Sequence, residues 1–284
     1  MPSLTTDDGR TLAWRETGTG PPLLCHPGGP GCSGHYFGDL PELGAQRTLL
    51  LLDPRGTGGS DRPTEPSAYD LGDYAADVEA VRAHLGLQRL DVLGHSHGGF
   101  VAMAWAGAHP DRVGRLVLTG TAPRFTDAIR ARRQERLVSH RGQPYFTDAI
   151  AALQAQQAGR YASDDELLRL YERASRVFAR VGEDLAPTVA AFRAGGLNAD
   201  AMSHFNEHVA PAMDRRPQLR GIGAPTLVIA GEHDAFGAPA TMDELAGALP
   251  HPTVVTVPGT DHFPFLEPQH RGAWSRPVLD FLAA

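Results

Sequence analysis

The chain has 284 residues and a formal charge of −7, and all 26 of its basic residues are arginine. The absence of lysine excludes a Schiff-base lysine, a pyridoxal-phosphate lysine and a P-loop lysine, and it leaves general-base work to His, Asp or Glu. The acidic balance and the lack of a basic stripe argue against nucleic acid, and no apolar run approaches 18 residues, so no membrane span is expected.

The N-terminus, from Met1 to Asp8, has neither a basic stretch nor an apolar core, so no secretory signal is read there. Leu12 to Glu16 and Pro22 to Cys25 read as strands. The seven-residue step from Cys25 to Cys32 fits no metal pattern, and both are expected as reduced thiols in a cytoplasmic protein. Thr48 to Asp53 is a short apolar strand of the kind buried on both faces. Leu71, Tyr74, Ala75, Val78, Val81 and Leu85 recur at helical steps and predict a helix from Tyr69 to Leu85. A strand from Arg89 to Gly94, a helix from Gly98 to Ala108 and a strand from Arg115 to Gly120 follow. This alternation predicts an α/β fold with right-handed crossovers and a mostly parallel sheet.

From Arg124 to Arg216 no convincing strand is visible, and Asp164 to Val181 is amphipathic and helical. Strand patterns resume at Pro225 to Ala230 and Thr253 to Val257, and a last helix is expected from Pro268 to Leu282. The expected organisation is therefore an α/β core over 1–123 and 217–284, with a helical cap over 124–216. The cap holds 14 arginines against 12 acids, a balance of +2, while the core holds 12 against 21, a balance of −9. That contrast favours a neutral or anionic substrate over a cationic one.

Gly94-His95-Ser96-His97-Gly98-Gly99 lies between a predicted strand and a predicted helix. A serine there, with glycine two before and two after, fits a nucleophile elbow, and the helix N-terminus behind it favours developing negative charge. Its base and the base's orienting acid should follow in the order acid, then histidine, each after a late strand. Asp234 follows the strand ending at Ala230 and His262 follows the strand ending at Val257, so they are the candidate acid and base. Glu232 is the competing acid; His95, His97 and His233 are competing bases beside the turns. The loop His26-Pro27-Gly28-Gly29-Pro30-Gly31 could supply an oxyanion donor at Gly29, with Gly28 second, alongside the N–H of His97.

The same loop carries a rival pattern. Gly29, Gly31 and Gly34 match a dinucleotide fingerprint, with Asp53 at a strand end 19 residues beyond. Pro30 lies inside that fingerprint, and Gly38, Pro41 and Gly44 break the helix it would need, so no nicotinamide or flavin cofactor is expected. His204 and His208 stand four apart, as metal ligands do on a helix, but no third ligand is evident and no metal is expected.

Taken together, Pro27 to Gly31, Asp53-Pro-Arg-Gly-Thr-Gly-Gly-Ser60, the Ser96 elbow, Asp234 and Asp261-His262 resemble the α/β-hydrolase superfamily, and within it the proline iminopeptidase-like branch. The resemblance implies a parallel-rich sheet, a helical cap and Ser–Asp–His hydrolysis without a cofactor; in Asp53 to Ser60, Arg55 is expected to brace the loops. The branch usually has Gly-Gly-Ser-Trp-Gly at the elbow and begins its glycine loop with histidine, whereas here His95 and His97 flank Ser96 and Pro27 begins the loop. Met202 stands where the branch's amine-binding glutamate would lie, with Glu207 nearby.

The resulting expectation is a serine hydrolase acting through an acyl-enzyme on a small-molecule or short-peptide substrate, either an iminopeptidase-like enzyme or a carboxylesterase or lactonase of a secondary metabolite. A ligand-sensing receptor and a cofactor-free oxygenase are remote alternatives on the same fold. Glu207, Met202, Phe205, Tyr145 and Phe146 are the candidate substrate-binding residues, joined by Tyr161, Tyr171 and Phe178 as aromatic side chains that would line a pocket or pack the cap's own helices.

Overall fold

Eight strands account for the sequence's apolar runs in the computed structural model, which describes residues 1–284, the side chain of Pro66 left aside. They are β1 (Ser3–Thr5), β2 (Thr11–Thr17), β3 (Pro22–His26), β4 (Thr48–Asp53), β5 (Leu90–His95), β6 (Val113–Thr119), β7 (Thr226–Gly231) and β8 (Pro252–Val257). They form one sheet in the order β1-β2-β4-β3-β5-β6-β7-β8; the β1–β2 and β2–β4 pairs are antiparallel and the rest parallel. The helices in chain order are α1 (Pro41–Gly44), α2 (Leu71–His84), α3 (His97–Ala108), α4 (Asp127–Ser139), α5 (Phe146–Gln157), α6 (Asp164–Ala174), α7 (Ala186–Gly195), α8 (Ala199–His204), α9 (Arg216–Leu219), α10 (Pro239–Gly247) and α11 (Pro268–Ala283). Strand β1 and helix α10 are core elements that patterning missed; the three residues of β1 are too short for a period to show. The stretch after Gly34 forms only a short 3₁₀ turn and α1, as its glycines and proline require.

The sheet is covered on both sides, and its strands show why. Successive side chains of a strand point to opposite faces. Leu50 and Leu52 accordingly join one apolar cluster, with Val92, Leu116, Leu118 and Val228, while Leu49 and Leu51 join the other, with Leu93, Val117, Leu227 and Ile229. An all-apolar run such as Leu49 to Leu52 is thus what a strand between two helical layers demands. Strand β8 closes one end of the sheet, and much of it is exposed.

Between β6 and β7 the chain passes through α4 to α9 and adds no strand to the sheet. An isolated antiparallel bridge joins Arg124 to Asp214, so this helical segment leaves and returns side by side. Side-chain caps start three of its helices: Thr126 accepts from the Ile129 N–H, Ser163 from that of Glu166, and Asn198 from that of Ala201. Four of its fourteen arginines, Arg124, Arg136, Arg180 and Arg216, hold it to acids of the core. Arg136 reaches Asp261 at 2.6 Å, Arg180 reaches the same carboxylate at 3.2 Å, and Arg124 reaches Glu244 at 2.7 Å. From the core side, Arg62 pairs with Asp200 at 2.8 Å and also with Asp164. The Asn198 amide donates to the Gly56 carbonyl and the Tyr69 hydroxyl, both at 3.0 Å. Arg55 braces its loop: it clasps Asp77 through Nε and Nη2 at 2.7 and 2.8 Å and donates to the carbonyls of Ala68 and Asp73.

Candidate active site

Ser96 occupies the single position between the end of β5 and the start of α3, with φ 53° and ψ −115°. A positive φ on a non-glycine residue is strained and needs surroundings that hold it. Those surroundings are specific: the Ser96 N–H donates to the Thr119 carbonyl at 3.0 Å, and the Thr121 hydroxyl donates to the Ser96 carbonyl at 2.9 Å. The turn also needs bare backbone on either side. A Cβ on Gly94 would overlap the Gly98 carbonyl, and a Cβ on Gly98 would overlap the carbonyls of His26 and Pro27. Beginning α3 at His97 leaves that residue's N–H without an intrahelical partner, next to Ser96.

The loops after β7 and β8 bring Asp234 and His262 together. His262 Nδ1 lies 2.8 Å from Asp234 Oδ2, and Asp234 Oδ1 accepts from the Phe236 N–H at 3.0 Å. Burial works to raise the Asp234 pKa, but the facing His262 and these hydrogen bonds prevail and hold the carboxyl below its ordinary value. An ionised Asp234 accepts from Nδ1–H, which leaves His262 Nε2 as the nitrogen free to exchange a proton. Glu232 instead accepts from the Gly259 N–H at 2.9 Å, and His233 stands beside Glu232, so neither competes for this place.

His95 is fully buried, and burial, followed by the neighbouring His262, pushes its pKa well below the ordinary histidine value. Its Nε2 lies 2.8 Å from the His262 carbonyl, which can only accept, so Nε2 carries the proton and Nδ1 accepts from the Tyr36 hydroxyl at 2.7 Å. The ring is therefore a neutral brace under the backbone of His262. The His97 ring packs against Tyr74 and Phe205 with Nε2 unpartnered, and burial likewise pushes its pKa well below the ordinary value.

These groups open onto a cavity of about 420 Å³ whose lining includes Gly29, Ser96, His97, Asp234 and His262. The glycine loop abuts the serine: a Cβ on Gly28 would lie 3.1 Å from Ser96 Cβ and 2.6 Å from the Tyr36 hydroxyl, and Gly29 takes φ +120°. Of the predicted substrate-binding residues, Met202 and Phe205 line the cavity, and so do Tyr171 and Phe178. Glu207, Tyr145 and Phe146 do not. The chain widens into a π-turn over Phe205–Val209; Phe205 faces inward, and Glu207, two positions on, faces solvent beside His208. Tyr145 bonds His140 at 2.8 Å beneath the Arg176 guanidinium, and Phe146 opens α5 away from the cavity. Tyr161 bonds Ser203 at 3.0 Å. His204 is committed to Asp70 through Nε2 at 2.7 Å, and its ring lies 5.0 Å from that of His208.

Sequence reading missed Tyr36, Phe192, Arg133 and Glu267, all of which line the cavity. Glu267 is buried with Oε2 3.4 Å from His270 Nε2, and its pKa is pushed up to about 7 by burial and by the charges of Glu183 and Asp261. It lies with Glu183 and His270 in a group whose ligand atoms fall within 4.8 Å of one another. Nothing in the spacing of positions 183 and 267 signals that meeting. Among the described residues, no helix is long and apolar enough to cross a membrane.

A strand–turn–helix serine, with an acid and a histidine delivered by the last two strands of a mostly parallel sheet, is the arrangement of a hydrolase on an α/β scaffold. Residues 21–269 match the model of the family described as alpha/beta hydrolase fold, and the chain belongs to that family. It is 36 % identical over 105 residues to a proline iminopeptidase from Lactobacillus helveticus, a match spanning 36 % of each chain, so the similarity extends over about a third of that relative. It is 29 % identical over 264 residues to a 2-(acetamidomethylene)succinate hydrolase from Mesorhizobium japonicum, covering 90 % of this chain and 87 % of the relative. Among solved structures, the enol-lactonase from Burkholderia xenovorans superposes with a TM-score of 0.67 at 26 % identity, covering 100 % of both chains.

Proposed function

We propose that the protein is a serine hydrolase that cleaves small esters or lactones through an acyl-enzyme, with the helical segment acting as a cap over the site. The observation that carries the reading is the strained Ser96 opening onto the cavity that the His262–Asp234 pair also lines. His262 Nε2 takes the Ser96 proton as Oγ attacks the carbonyl carbon, and Asp234 stabilises the imidazolium. The tetrahedral oxyanion rests on the N–H groups of His97 and Gly29, with Gly28 keeping the loop against the serine. His262 then protonates the leaving oxygen, and a water activated by the same nitrogen releases the acid. An ester or lactone is favoured over an N-terminal peptide amide because Glu207, the candidate amine ligand, faces solvent, while the cavity is walled by Met202, Phe205, Phe192 and Phe236. The enol-lactonase among the similar proteins agrees with this choice.

A fluorophosphonate probe is expected to label the wild type at Ser96 and to leave Ser96→Ala unlabelled. p-Nitrophenyl butyrate is expected to be turned over and prolyl-aminomethylcoumarin to be left intact. Labelling that survives in Ser96→Ala would overturn the assignment, and cleavage of the prolyl amide in preference to the ester would reverse the substrate choice.

A further inference from the structure

Two histidines stand side by side at one end of the cavity: the rings of His95 and His262 have centroids 4.6 Å apart and planes tilted by 48°. Their surroundings sort them into different roles. His262 bonds Asp234 and is partly open to the cavity, whereas His95 is fully buried, edge-on to Phe265 at 4.9 Å between centroids. A buried imidazole with no carboxylate bonded to it stays neutral, and a neutral imidazole offers one donor and one acceptor.

Both are committed, and to partners from different loops. The Nε2–H of His95 donates to the His262 carbonyl at 2.8 Å, and Nδ1 accepts from the Tyr36 hydroxyl at 2.7 Å. Tyr36 is buried too, and its hydroxyl stands against the glycine loop, where a Cβ on Gly28 would lie 2.6 Å from it. His95 is itself the last residue of β5, directly before Ser96. One chain of contacts therefore runs from the loop with the candidate oxyanion donors, through the residue beside the serine, to the backbone of the base. Gly120, the first residue after β6, shows how closely the parts are gathered. It takes φ +54°, and a Cβ there would meet Asp234 Oδ2, His95 Nε2 and His262 Nδ1 at 2.9, 3.0 and 3.2 Å.

Resting on the hydrolase reading, we propose that Tyr36 and His95 are positioning residues that clamp the glycine loop, the serine turn and the base loop in one register. Neither exchanges a proton with substrate. Asp234 holds the His262 ring by Nδ1 and sets its tautomer; His95 holds the same residue by its carbonyl and sets where the ring stands. The division leaves Nε2 of His262 free to face Ser96 while the oxyanion donors keep their place. A reacting group displaced by about 1 Å can lose on the order of a hundredfold in rate, so such a clamp bears on turnover without touching substrate chemistry.

Three variants test it. Tyr36→Phe deletes one hydroxyl, His95→Leu deletes both bonds, and His95→Gln keeps an amide N–H at the place of Nε2 that can still donate to the His262 carbonyl. On p-nitrophenyl butyrate, kcat should fall roughly tenfold to a hundredfold in Tyr36→Phe and His95→Leu, with KM within about twofold of the wild type. His95→Gln should recover most of the loss. An unchanged kcat in Tyr36→Phe, a loss carried by KM alone, or a His95→Gln no better than His95→Leu would overturn the clamp. If His95→Leu fails to fold, Tyr36→Phe decides alone. Nitrogen NMR of histidine-labelled protein gives a reading independent of turnover. His95, assigned by its loss in His95→Gln, should hold a fixed Nε2–H tautomer, and the His262 signals should shift in Tyr36→Phe. An Nδ1–H tautomer at His95, or His262 signals that stay in place, would overturn the proposal. A wild type that neither turns over the ester nor takes the fluorophosphonate label refutes the hydrolase reading, and the same spectra then uphold or overturn the clamp by themselves.

Discussion

Ser96 holds its position because two glycines let other backbone pass where a side chain would stand. Gly98→Ala forces a methyl group against the carbonyls of His26 and Pro27. It is expected to cost about 1–3 kcal/mol or more in a denaturant melt, since backbone cannot swing aside as a side-chain tip can. Asp234→Asn is expected to keep the fold yet lower kcat by roughly 10³–10⁴-fold, because a neutral amide no longer fixes the tautomer in which His262 Nε2 accepts a proton; steady-state kinetics on p-nitrophenyl butyrate check it. These positions were legible in the sequence because the chemistry that sets them is local: a turn between two patterned elements and a residue just past a strand. The roles of the α4 arginines were not. Three arginines within five positions look alike in sequence, and which of them bond across the seam depends on where the carbonyls of Glu232 and His233 arrive from a hundred residues away.

At the scale of elements, the helical segment is fastened by charged side chains across a seam. Arg136→Ala leaves the buried Asp261 with Arg180 as its remaining cation. The expected cost is about 1–3 kcal/mol, below that of a fully orphaned buried charge. Thermal or urea unfolding measures it, and a variant as stable as the wild type would show that the pair contributes nothing. The core elements were readable because two-sided burial writes an all-apolar run and helical faces write a period. Of the pocket-facing aromatics, Phe205, Tyr171 and Phe178 were named from the sequence, but the outward turn of Glu207 was not, because a local π-turn decides whether Phe205 or Glu207 looks inward, and no residue pattern announces the turn. The positive balance of the segment was visible in sequence, but four of its fourteen arginines prove to be directed at core acids.

The whole molecule carries buried titratable groups whose effects on stability have opposite signs. His26, His95 and His97 are buried neutral, with His26 held at about 4 and the other two well below their ordinary value. In each case the unfolded chain binds more protons, so stability is complete above about pH 6.5 and falls as the pH drops below it. Glu267 runs the other way. Its folded pKa of about 7 exceeds the unfolded value, so its contribution is full below about pH 4.5 and is lost as the pH rises to 7. Glu267→Gln should therefore be more stable than the wild type at pH 8, with the gap closing toward pH 4.5; urea midpoints across that range would refute this if the gap stays constant. A final consequence follows from Asp261. The carboxylate that Arg136 and Arg180 grip from the helical segment belongs to the residue next to His262. Any movement that lifts those helices to admit a substrate slackens the peptide carrying the proton-transfer group. On the proposed hydrolase reading, the seam would act as an interlock that keeps the base in register only while the helical segment is seated.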